Sequence, residues 1–99
     1  MELIETPYQL DEKEKHMQKV TDIGKMSIVN IQLRAGEEIA EHDADADVII
    51  IVRSGRVSFT VEGKIVEVTG HNILHMTPLE KHSLKAEKAT DLLLMKIQQ

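Results

Sequence analysis

The fold class this sequence predicts is all-β, a small barrel or sandwich, on three observations. From Lys25 onward apolar and polar residues alternate in short runs, the period-two pattern of half-buried strands. Turn residues punctuate those runs at intervals of roughly 8–12 positions, as they do in barrels and sandwiches. Helical periodicity is absent after residue 22.

The elements follow in order. Asp11-Glu12-Lys13-Glu14 resembles a capping box that opens a helix. Met17 and Val20 offer such a helix little apolar stripe, however, so a charged arm leading into an edge strand is the competing reading of residues 1–24. Ser27, Val29, Ile31 and Leu33 then alternate with Met26, Ile28, Asn30 and Gln32, and Ala35-Gly36 turns the chain. Val48, Ile49, Ile50, Ile51 and Val52 form an unbroken β-branched run, as expected of a strand covered on both faces. Ser54-Gly55 is a turn, after which Val57, Phe59 and Val61 alternate with polar neighbours. Glu62-Gly63 is a tight hairpin signal. Ile65, Val66 and Val68 begin the return strand, which Thr69-Gly70 ends. Residues 73–76 form a short strand stopped by Pro78, and residues 82–86 and 92–97 complete the set.

Ninety-nine residues make one domain, because a chain this short buries only about two thirds of its unfolded surface. There is no cysteine, which removes disulfides, thiolate nucleophiles and cysteine-ligated metals. No apolar run approaches the roughly 20 residues of a membrane span, and the start lacks a secretory pattern. A cytoplasmic protein is therefore expected. The net charge is −5, with scattered basic residues, and Tyr8 and Phe59 are the only aromatics. Phosphate backbones are repelled and base-stacking platforms are missing, so nucleic acid is not an expected partner. The glycines are spaced as turn residues, not as a phosphate cradle, and no nucleophile elbow is present.

Two glycine-anchored segments carry a resemblance. One runs from Gly36 through His42, Ala44, Asp47 and Val48 to Gly55, and the other from Gly70 through His75 and Pro78 to His82. Together with the strand rhythm they resemble the cupin superfamily over residues 26–97, a small single-domain cupin of the conserved-barrel type. The resemblance implies a double-stranded β-helix, a jelly-roll-like barrel, spanning residues 25–99 with residues 1–24 as arm and edge strand. It also implies a barrel metal centre, of which His42 and His82 are the two ligands present. Where the family has its second histidine this chain has Ala44, and where it has its glutamate stands Val48, with Asp47 one step away.

Strand parity adds a second expectation. If residues 42–52 are extended, His42, Ala44, Val48, Ile50 and Val52 share one face, because side chains alternate, while Asp43, Asp45 and Asp47 point outward. His82, Leu84 and Ala86 share a face likewise. Two imidazoles would then meet in an aliphatic barrel whose ligand pocket is lined by Ala44, Val48, Ile50, Val52, Phe59 and Leu84. His75 or Asp47 is the candidate third donor; His71 and His16 are read as exposed. The three aspartates are not a calcium loop, since nothing supplies the glycine and distal glutamate.

The role expected from these residues is binding rather than turnover: a small-molecule ligand, or weakly a divalent metal such as zinc, nickel, manganese or iron, held through His42 and His82. The alternative is a metal-dependent enzyme of the dioxygenase, isomerase or lyase type with His75 or Asp47 as third ligand. Apolar side chains on both faces of residues 92–95 imply that a second subunit covers one of them. A homodimer is expected.

Overall fold

The computed structural model describes residues 1–99, and every regular element in it is a strand. In chain order these are β1 (Lys15–Ile23), β2 (Met26–Leu33), β3 (Glu38–His42), β4 (Ala46–Ser54), β5 (Arg56–Val61), β6 (Lys64–Thr69), β7 (Ile73–Met76), β8 (His82–Ala86) and β9 (Thr90–Gln98). They form two antiparallel sheets, one of order β1-β2-β9-β4-β7 and one of order β3-β8-β5-β6. No helix is long and apolar enough to cross a membrane.

Alternation decides what lies between the sheets. Ile31 and Leu33 of β2, Leu92 of β9 and Val48, Ile50 and Val52 of β4 face Val57 and Phe59 of β5, Val68 of β6 and Leu84 and Ala86 of β8. These eleven and Met76 of β7 make a single buried cluster. At roughly 25 cal/mol per Å² of apolar surface removed from water, burying such side chains is the main force holding the two sheets together.

Turn chemistry sets the register. Glu62 and Gly63 both have positive φ, at 47° and 81°, the type I′ geometry that matches strand twist in a two-residue hairpin. It pairs Val61 with Lys64 and carries Phe59 opposite Val66. At the β4–β5 turn Gly55 (φ 95°) lets the backbone approach the start of β9.

The N-terminal region contains no helix. Residues 9–13 form a turn, with Glu12 N–H and Lys13 N–H both donating to the Gln9 carbonyl, and β1 then pairs along the whole of β2. A short helix without an apolar stripe has little to hold it, whereas β1 gains a full ladder. Residues 1–14 cross the outer face of the five-stranded sheet. There Gln32, which is fully buried, accepts from Gln9 N–H at 2.8 Å and donates to Pro7 O at 2.9 Å, and Arg53 donates to Thr6 Oγ1 at 2.8 Å.

Residues 42–52 are not one extended segment. β3 ends at His42, residues 43–45 form a connection, and β4 begins at Ala46. His42 and Val48 therefore do not share one continuous strand whose alternation would place them on a common face, and another device orients His42.

Candidate functional site: a histidine pair at the end of the barrel

That device is a bulge. β3 pairs with β8 through Ile39↔Leu84 and then His42↔His82, so two residues of β3, Ala40 and Glu41, face the single residue Ser83. An extra residue in one strand shifts side-chain parity, which turns His42 to the same side as Ile39. Opposite it, His82 lies on the face of β8 that carries Leu84 and Ala86 into the core. The two rings touch edge to face, with centroids 4.3 Å apart and planes at 61°. His82 is only 4% exposed, while His42, on an edge strand, is open to solvent.

Both rings are fixed by the same contact. His42 Nδ1 is 2.9 Å from Ala40 O, and His82 Nδ1 is 3.0 Å from Glu80 O. A carbonyl only accepts, so each Nδ1 carries the hydrogen and donates it. In the neutral ring Nε2 is then a bare lone pair, the form in which imidazole binds metals or accepts a proton. Metal-binding histidines are usually oriented in this way, by donating the other ring N–H to a carbonyl or carboxylate.

The loop after β7 builds the rim beside the pair. Thr77-Pro78-Leu79-Glu80 is a turn closed by Glu80 N–H donating to Thr77 O at 3.3 Å, and Leu79 takes a φ of 69°. Leu79 N–H donates to Ala44 O, and Glu62 N–H donates to Lys81 O, tying three connections together at this end. The Glu80 carboxylate accepts from both the backbone N–H and the hydroxyl of Thr77, at 2.6 and 2.8 Å. Those two bonds, the backbone one first, hold its pKa below the ordinary glutamate value, with smaller contributions from His75 and His82.

Neither candidate third donor joins the pair. His75 Nε2 lies 2.8 Å from Asp47 Oδ1, and the two side chains share the outer face of the five-stranded sheet, beside Ile49 rather than Val48. Asp47 Oδ2 also accepts from the side chain of Gln99 at 2.6 Å. No group of three or more histidine, cysteine, aspartate or glutamate side chains is arranged to hold a metal. His71 is exposed and His16 half-buried.

The expected pocket lining is corrected in the same way. Val48, Ile50, Val52, Phe59 and Leu84 are buried against one another and Ala44 packs on them, so they fill the barrel interior, and of the six only Leu84 also borders a concavity. The aliphatic volume that would have made a pocket is taken up by the core of a chain too small to leave it empty. The one concavity, about 530 Å³, lies instead on the outer face of the four-stranded sheet, among Glu38, Ser58, Thr60, Ser83, Lys85 and Glu87.

The sequence did not reveal the carbonyls of Ala40 and Glu80, which orient the rings, or the polar set beneath the arm, the buried Asn30 and Gln32 with the half-buried Asp91. Asn30 donates to Asp91 Oδ1 at 2.7 Å, and Gln32 donates to Asn30 Oδ1 at 2.9 Å. The only available signal was a pair of amides alternating in β2, which also describes an ordinary solvent face.

Comparison with solved structures decides the architecture. An RmlC-like cupin with a double-stranded β-helix fold from Methanocaldococcus jannaschii superposes with a TM-score of 0.83, at 20% identity over 99% of this chain and 91% of that one. The chain has the cupin fold. A conserved protein of unknown function from Streptococcus pyogenes shares this cupin architecture at a TM-score of 0.81 and 20% identity, over 89% of this chain and 77% of that one. A salicylate 1,2-dioxygenase variant from Pseudoaminobacter salicylatoxidans matches at a TM-score of 0.70 and 20% identity, over 74% of this chain but 21% of its own. No protein-family model matches the sequence, and no curated protein matches it significantly. Of the metal ligands expected from the family resemblance, only His42 and His82 are brought together. Two imidazoles suit an exchangeable ion completed by water, not the closed set of three or four protein ligands that keeps an ion resident.

Proposed function

We propose that this small cupin is a binding protein, taking a small ligand or a weakly held divalent ion at the open end of its barrel between His42 and His82. The observation that carries the reading is the paired tautomer. Both Nδ1–H groups are spent on backbone carbonyls, which leaves an unprotonated Nε2 on each of two rings whose centroids stand 4.3 Å apart. His42 is the accessible member and His82 the buried one, so a ligand arrives from solvent by way of His42. The filled core supports binding at the rim rather than deep in the barrel. Turnover of the dioxygenase, isomerase or lyase type would call for a third protein donor, and His75 and Asp47 are occupied with each other.

Zinc titration followed by calorimetry tests this. The expected result is one exchangeable site per chain, weaker than a three-ligand centre and lost in both His42→Ala and His82→Asn. The asparagine amide keeps a donor to Glu80 O where Nδ1 stood, so loss of binding would not reflect a collapsed rim. Binding that survives both substitutions, or tight binding that resists chelators, would sink the reading.

A further inference from the structure

The interior of the barrel is filled, and the concavity of about 530 Å³ lies on the other side of the wall, on the outer face of the four-stranded sheet. Its volume is within the roughly 300–1,000 Å³ usual for small-ligand pockets. Strand alternation makes its surface. Ser83 and Lys85 point outward from β8, between the buried His82, Leu84 and Ala86. The ladders set Thr60 opposite Ser83, and Lys85 between Ser58 on one side and Glu38 on the other. Ile65, opposite Thr60 on β6, adds an apolar flank.

The charges on this wall are left open. Lys85 closes no ion pair, although Glu38 stands across the ladder from it and Glu87 two positions along the chain. Ser58 Oγ donates to Glu87 Oε1 at 3.0 Å, which fixes that carboxylate and still leaves it lone pairs to accept with. The Thr60 and Ser83 hydroxyls are half-buried in the same wall, where each can donate or accept. The concavity therefore offers an ammonium with hydroxyl donors towards one end and a held carboxylate towards the other.

We propose that this concavity binds a small zwitterion of dipeptide size, its carboxylate on Lys85 and the hydroxyls of Ser83 and Thr60, its ammonium on Glu87. Charge selects the class. Lys85 stands among two glutamates, so a lone anion meets the carboxylates and a lone cation meets the Lys85 ammonium. A ligand carrying both signs satisfies both. Spacing selects the size. Two positions at strand spacing separate Lys85 from Glu87 by about 6.6 Å, and an extended two-residue peptide spans about 6.6–7.2 Å. A free amino acid carries both charges on one carbon, too close together for that spacing. Ser83 and His82 are consecutive and emerge on opposite faces of β8, so this site stands independently of the histidine pair.

Amide NMR titration with alanyl-alanine at neutral pH is the test. The expected result is saturable shifts centred on residues 58–60 and 83–87. Affinity should fall roughly tenfold in Lys85→Gln and in Glu87→Gln, as for the loss of one charge-assisted hydrogen bond. Both side chains are exposed, and the glutamine at 87 can still meet Ser58. On wild type, where no variant has to fold, N-acetyl-alanyl-alanine, alanyl-alanine amide and free alanine should each bind more weakly than the dipeptide. No saturable shift, equal affinity for any of those three, or shifts centred on His42 and His82 overturns the proposal.

Discussion

Replacing Gly55 by alanine should cost far more than a methyl group at a surface turn ordinarily does. Gly55 has a φ of 95°, where an L side chain is strained by roughly 1–2 kcal/mol. The added Cβ would also lie 2.3 Å from Ala89 O, 2.6 Å from Thr90 Oγ1 and 2.7 Å from Thr90 Cα. Two of those atoms are backbone and cannot rotate away. Thr90 is itself fixed, accepting from Arg56 N–H at 3.2 Å and lying 2.8 Å from Lys88 O, to which its hydroxyl donates. Overpacking of this kind typically adds about 1–3 kcal/mol. The combined loss is about 2–5 kcal/mol, and at roughly 4–8 °C per kcal/mol for a domain near 100 residues a mid-range loss lowers Tm by about 14–28 °C. Gly63→Ala is the matched control, since Gly63 has a φ of 81° with nothing within 4 Å of a Cβ. It should show the backbone strain alone, about 1–2 kcal/mol. Urea and thermal unfolding of both variants measure the difference. Equal losses at the two positions would mean that the β4–β5 turn does not pack on β9 as described.

Three further outcomes follow from the same contacts. Gln32→Ala removes the partner of Gln9 N–H and Pro7 O and should cost about 1–3 kcal/mol; trypsin cleavage within residues 11–15 should accelerate, and an unchanged rate would mean that the arm is held elsewhere. Leu79→Gly relieves a φ of 69° at a position following proline in a turn, so stability should rise by about 0.5–1 kcal/mol once left-handed strain and glycine's extra chain entropy are set against each other, as read by urea midpoint. Glu80 has a folded pKa below its unfolded one, so its contribution is present above the unfolded value and is lost as pH falls through the folded value. Carboxyl NMR titration should find Glu80 depressed in wild type and shifted upward in Thr77→Val, and an identical titration in the two would remove the hydroxyl from the account.

Much of the architecture was legible because strands announce themselves locally. Alternation around Phe59 set the facing of β5, Glu62-Gly63 specified the hairpin into β6, and the β-branched run through Ile50 marked a strand at the centre of a sheet. What failed was everything that depended on an insertion or on a distant partner. The bulge at Ala40 and Glu41 leaves no mark in composition, yet it reverses the side on which His42 emerges. Nothing in Asp43-Ala44-Asp45 forbids extension, so the break between β3 and β4 leaves no local signal. The expected cavity vanished because aliphatic residues that could line a pocket pack equally well against one another, and side-chain volume across the two sheets decides which. His75 and Asp47 looked available because their sequence positions do not reveal that a cross-strand diagonal brings them together.

X-ray absorption of zinc-loaded protein, prepared without a histidine tag, reads the first coordination shell directly. Two imidazole nitrogens, the remainder being water oxygens, is the predicted shell, and it should fall to a single imidazole or none in His42→Ala. A shell with three or more protein donors, or with a carboxylate among them, would contradict the account of the His42–His82 pair.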